Sequence, residues 1–198
     1  MNDRWYEPVA LGSPLDQGDL LPDCPVVRWK DGASAFEGNE PLEQLRSKIE
    51  AAAADVIVMT QTCDLAQGKA RYVILCPHFP LSTIKSLWQK QQIDRNLPVK
   101  PNWWARFLDN VVAGQVWHLS MLNQEQTAEY DTDIRIVDFH EVYSLPRAFL
   151  DSWLATKHPP RLRLRPPYRE HLSQAFARFF MRVGLPTDVA PVWHKPAP

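Results

Sequence analysis

Glycine is scarce in this chain: seven residues in 198, against eighteen prolines. Few positions can take left-handed backbone without steric cost, so turns must lean on proline and on Asp or Asn. Cysteine is scarcer still, at three. So small and odd a set excludes a disulfide-stapled scaffold and fits a reducing cytoplasm. Long apolar runs are missing too. The longest lie around 56–59 and 73–76, far short of the roughly 18 residues a membrane-spanning helix takes. Met1-Asn2-Asp3-Arg4-Trp5 lacks the basic-then-apolar layout of a secretion signal. The expectation is a cytoplasmic protein with no membrane partner. No charge of one sign dominates, the formal net charge being −1. The overall balance therefore points to neither nucleic acid nor acidic lipid, although a local patch can still bind either. There is no Gly-rich phosphate loop, nucleophile elbow or His-Glu-x-x-His zinc pattern. No cofactor and no bound metal are expected.

What the chain does carry is core material: 45% hydrophobic residues and eight tryptophans. Its length suits one domain over 1–186, followed by a proline-rich tail over 187–198. Helical spacing of Leu42, Leu45, Ile49 and Ala53 predicts a helix over 42–54. The unbroken run at 56–59 predicts a strand covered on both faces, and 60–64 reads as a loop leaving it. A second strand is expected over 70–76 and a helix over 81–93. Residues 103–112 fit either a helix or the approach to a strand. Further strands are expected over 114–122 and 134–142, and Pro146 opens a helix. Leu162 and Leu164 alternate with Arg161, Arg163 and Arg165, the cleanest two-sided strand in the chain. Leu172, Phe176, Phe179, Phe180 and Val183 form one apolar stripe of a helix closed at Gly184. The class is α+β: a small β barrel or curled mixed sheet decorated by helices, with an amphipathic C-terminal helix.

Two segments carry candidate chemistry. Gln61, Cys63 and Asp64 follow a buried strand directly, where a rigid element aims polar groups. Cys63 as a thiolate needs a base, for which His78, His118 and His140 are candidates. Alternatively Cys63 joins Cys76, His78 and Cys24 around zinc, a spacing that lacks the paired knuckle of structural sites. A third reading makes Gln61 and Asp64 a polar ligand site without thiol chemistry. Inert packing competes with all three, above all for Cys24 and Cys76. The other segment is basic. Arg161, Arg163, Arg165, Arg178 and Arg182 together suit phosphates of RNA or DNA, with a solvated, acid-paired face as the plain alternative. Trp103, Trp104, Trp117 and Trp193 offer stacking surfaces, or more commonly complete a core, a homodimer or a protein interface. His118 and His140 share a face only if their strands pair in suitable register.

Gly18-Asp19-Leu20-Leu21, followed later by Val56-Ile57-Val58-Met59, resembles the entrance of the PemK/MazF toxin family. That resemblance implies an SH3-like barrel, a dimer and RNA cleavage. The stretch before the strand departs from the family pattern, with Asp55 and alanines in place of an arginine, so no catalytic residue carries over. Gly18-Asp19-Leu20, Thr60-Gln61-Thr62-Cys63-Asp64-Leu65 and the segment from Arg178 to Pro186 look like a family of uncharacterised bacterial and phage proteins. This second resemblance implies a prokaryotic or phage origin and brings no activity. The functional expectation is a binding protein, with nucleic acid as the candidate partner. The alternatives are an enzyme, nuclease-like or thiol-dependent, using the Cys63-Asp64 loop, and a protein-interaction or regulatory module.

Overall fold

The run at 56–59 is buried on both sides, as its unbroken apolar character requires. It ends β3 (Ile49–Val58), which lies between β2 (Asp19–Trp29) and β4 (Tyr72–Pro80). Val56 and Val58 face one apolar cluster with Leu21, Val26, Val73 and Leu75. Ile57 faces a second with Leu20, Cys76 and Leu164. The two-residue period of a strand makes that division. The computed structural model describes residues 4–30, 32–33, 41–127 and 130–181.

The remaining strands are β1 (Tyr6–Pro8), β5 (Leu119–Leu122), β6 (Glu125–Gln126), β7 (Asp131–Thr132), β8 (Arg135–Asp138), β9 (Tyr143–Pro146) and β10 (Leu162–Leu164). Eight strands form one sheet in the order β1-β10-β2-β3-β4-β8-β5, with β9 also on β4, and β6-β7 is a separate ribbon. Every described pairing is antiparallel. β4 spans two halves of the sheet, holding β9 along Tyr72–Leu75 and β8 along His78–Pro80. The end strands β1 and β5 are joined by no ladder, so main-chain pairing does not close a barrel among the described residues. Side chains draw that side together instead. The Glu125 carboxylate accepts from the main-chain N–H of Trp5 at 2.7 Å and of Tyr6 at 3.1 Å, and the Tyr6 hydroxyl donates to the Asn123 carbonyl at 2.7 Å.

Among the described residues six α-helices complete the α+β class: α1 (Leu42–Leu45), α2 (Thr62–Ala66), α3 (Leu81–Asp94), α4 (Pro101–Val112), α5 (Arg147–Lys157) and α6 (Tyr168–Phe180). Leu150 of α5 and Leu65 of α2 cover the first face. Leu172, Phe176 and Phe179 of α6 cover the second. Ile84 of α3 and Val111 of α4 pack on Leu119 and Ile136, a third cluster. No helix among the described residues is long and apolar enough to cross a membrane.

Several local expectations change. The helix expected over 42–54 stops after α1 and a 3₁₀ turn, Arg46–Lys48, and its alanines form a strand. Ala51 to Ala54 pair with Val27 to Cys24, and a ladder of this length outweighs alanine's helix propensity, the highest of any residue but worth less than about 1 kcal/mol per position. The loop expected at 60–64 becomes the start of α2. Residues 103–112 are helical, with Pro101 in the first turn where its missing N–H costs nothing. The strand expected over 114–122 is only β5, and that over 134–142 is only β8, with β9 following separately. Val183, Gly184 and the 187–198 tail lie outside the described residues.

Candidate functional site

Three neighbouring strands bring together a buried histidine and a partly buried ion pair. β3 places Asp55 just ahead of its core run, β4 places His78 two residues past Cys76, and β8 begins at Arg135. Val56 pairs with Pro77 and His78 with Val137. Asp55, His78 and Arg135 therefore share the parity of Ile57, Cys76 and Val137, on the face of the second cluster. Arg135 Nε donates to His78 Nδ1 at 2.6 Å, and Nη2 donates to Asp55 Oδ2. Asp55 Oδ1 accepts the main-chain N–H of Asp23 at 3.1 Å. Because Nδ1 is the acceptor, the ring proton belongs on Nε2. That nitrogen finds no partner at full hydrogen-bond geometry. Burial, reinforced by the Arg135 charge, pushes the His78 pKa down to about 3; Asp55 and the Val56 main chain pull the other way and are outweighed. At neutral pH the ring is uncharged.

Above this trio lies a cleft of about 610 Å³. Pro8, Leu20, Pro22 and Leu162 give it apolar walls, and Tyr130 with Thr132 approach from β7 and the residue before it. Of these residues, only His78 was a candidate from the sequence. Asp55 and Arg135 come from strands separated by eighty residues, and no local pattern links them.

The Cys63 segment has a structural explanation for much of its character. Thr60 Oγ1 accepts the Ile74 N–H at 2.7 Å, tying the β3 exit to β4. Leu65 is buried, and its carbonyl accepts from the Arg147 guanidinium. Cys63 is exposed, with Sγ 3.7 Å from Gln61 Oε1 and 3.9 Å from Asp64 Oδ1. These contacts join the three candidates, but among the described residues no histidine is a partner of Cys63. His78 is bonded to Arg135, while His118 and His140 lie against each other, ring centroids 4.1 Å apart and planes tilted by 30°. The ladder sets His118 opposite Phe139, so the two histidines meet beyond the strand ends, His118 before β5 and His140 after β8, rather than through the strand register. Cys24 and Cys76 are buried in different clusters, and burial pushes both thiols up to about 12. No three His, Cys, Asp or Glu residues come together as a metal site among the described residues.

The arginines divide. Arg161 and Arg163 both bond the Asp19 carboxylate, Arg161 Nη1 at 2.9 Å to Oδ2 and Arg163 Nε to Oδ1. Asp19 and Arg161 are buried. For Arg163, burial opposes the charge but the Asp19 carboxylate prevails, and its pKa is raised. This lock accounts for the Gly-Asp-Leu opening. Gly18 has φ 81°, and a Cβ there would sit 3.1 Å from Leu164 Cβ. Asp19 holds the two arginines, and Leu20 enters the core. Arg165 and Arg178 are exposed, and Arg182 lies outside the described residues.

Arg178 lines a groove of about 430 Å³ between β5, the end of α4 and α6. Trp5 and Tyr168 stack in its wall, centroids 4.0 Å apart and planes 12° from parallel. His171 and Asn123 also line it, and no carboxylate among the described residues does. The main-chain N–H of Arg165 donates to the Trp5 carbonyl at 2.8 Å, which sets Arg165 beside the stacked pair. Of the tryptophans singled out, Trp104 packs against Trp88 and Phe107, Trp103 lies under the Lys100 ammonium, and Trp117 is exposed. Trp193 lies outside the described residues. Trp5 went unnoticed because its value depends on Tyr168, 163 positions away. No protein-family model matches the chain, and comparisons with curated proteins and with solved structures return no match.

Proposed function

We propose that the chain binds single-stranded nucleic acid, RNA or DNA, in the groove between β5, α4 and α6. The observation that carries this reading is the lining: a stacked Trp5–Tyr168 pair beside Arg178 and His171, with no carboxylate among the described lining residues. Aromatic faces accept any base, and uncompensated guanidinium groups attract phosphate. Arg161 and Arg163, spent on Asp19, act as scaffold in this reading, and Arg165 with Arg178 supply the contact charge. Fluorescence anisotropy with labelled single-stranded RNA and DNA tests it. Binding should weaken with salt by roughly 0.7 in log–log slope per phosphate contacted, and Arg178→Ala should remove about one such contact. Tyr168→Ala should cost about 1–3 kcal/mol, the worth of one stacked base. No binding at low salt, or binding that ignores both substitutions, overturns the reading.

We propose further that the sheet is an SH3-like barrel left open along one seam, a reading supported by the Glu125 bridge to Trp5 and Tyr6. Superposition of an experimental structure on such barrels tests this, and a different strand order would remove it.

A further inference from the structure

The cleft above Asp55, His78 and Arg135 is separate from the nucleic-acid groove, and its charges are already matched. Arg135 is paired with Asp55, and Arg161, which also lines the cleft, is paired with Asp19. Asp131 adds a carboxylate to the lining. An anion would find no uncompensated cation there. One kind of hydrogen-bonding capacity is unused. Arg135 commits Nε and Nη2, while Nη1 has no hydrogen-bond partner among the described residues. The Arg135 side chain is 19% exposed, and Nη1 keeps contact with the water of the cleft, which a ligand acceptor can displace. His78 adds no charge and no basic nitrogen, since Nδ1 is occupied. Around these groups the walls are flat and apolar: Pro8, Pro22, Pro160, Leu20 and Leu162. Adjacent strands β1, β10, β2, β3, β4 and β8 each contribute to the lining, so its floor is a hydrogen-bonded sheet, the kind of support that holds a site in fixed geometry.

We propose that this cleft binds a small uncharged heterocycle whose carbonyl oxygen accepts from Arg135 Nη1. The volume, about 610 Å³, is in the range of sites that enclose small organic molecules. The apolar walls bury the ring, the Arg135–Asp55 pair is left intact, and Arg135 Nη1 fixes the orientation of the carbonyl.

Ligand-observed NMR and calorimetry with uridine, nicotinamide and caffeine as neutral probes test the proposal, with uridine 5′-monophosphate and inorganic phosphate as charged counterparts. At least one neutral probe should bind saturably and more tightly than the charged ones. Pro160→Trp, at an exposed lining position away from the polar trio, should abolish binding by filling the cleft. Arg135→Lys should weaken it about tenfold, the scale of one lost hydrogen bond, with folding checked by circular dichroism. Arg178→Ala, in the nucleic-acid groove, should leave it unchanged, so failure of either proposal is seen separately. Absence of saturable binding by every neutral probe overturns the inference. So does binding indifferent to Pro160→Trp, or preference for the phosphate-bearing probes.

Discussion

Asp19 has no exposure of its own and meets two guanidinium groups. Removing it leaves Arg161 and Arg163 with their principal counter-charge gone, and breaking a buried pair in this way costs about 3–5 kcal/mol. Asp19→Ala should lower the unfolding free energy by that amount in urea melts; a change below about 1 kcal/mol would mean that water already solvates the pair. The alternation at 161–165 was legible as a strand, but its arginines looked like a surface face. Asp19 lies 142 positions from Arg161, and no local pattern announces a partner so distant. His78 makes a second residue-level prediction. Its pKa is about 3 in the fold against 6.5 when unperturbed. Between those values the unfolded chain binds a proton that the folded chain refuses. The His78 contribution is therefore complete above pH 6.5 and is lost as pH falls toward 3, by about 1.4 kcal/mol per pH unit. His78→Gln lacks this component, so its stability should fall less steeply than that of the wild type on acidification. Parallel pH profiles for the two proteins would show that His78 titrates normally.

At the scale of elements, α6 was the most legible and yet needs refinement. Leu172, Phe176 and Phe179 of its stripe dock on the sheet as the periodicity requires, but Phe180 is 57% exposed, and the deepest residue is Leu172, 4% exposed. Phe176 is half-buried, edge-on to Phe139 at 5.4 Å and to Phe180 at 5.0 Å. Leu172→Ala should therefore cost about 2–5 kcal/mol, whereas exposed Gln174→Ala should stay within about 0.5 kcal/mol. Equal losses in thermal melts would mean that the helix is not docked. Ser173, which the wheel sets on the outer side, receives a hydrogen bond from the Gln17 amide at 3.2 Å and so is not idle. The alanine strand misled for a physical reason. Four alanines have no side-chain pattern with which to declare a two-residue period, and only the ladder to β2 decides their conformation. The Asp55–His78–Arg135 site was illegible for a related reason: it takes one residue from each of three strands, and only their register brings them together.

For the whole molecule, the α+β class was readable from alternating strands and striped helices, whereas strand order was not. The order has a further consequence. β10 is inserted between β1 and β2, pairing Tyr6 with Leu164 and Leu20 with Leu162. During synthesis the first strand therefore waits for almost the last, and the β2 edge that β10 will cover stands open until residue 164 has emerged from the ribosome. Loop closure over such a distance is slow relative to local pairing, and an uncovered edge invites other chains. A nascent chain interrupted before Leu162 would carry β2 and β3 in full but lack the strand that seals them, making premature termination more hazardous to this protein than its ordinary size suggests.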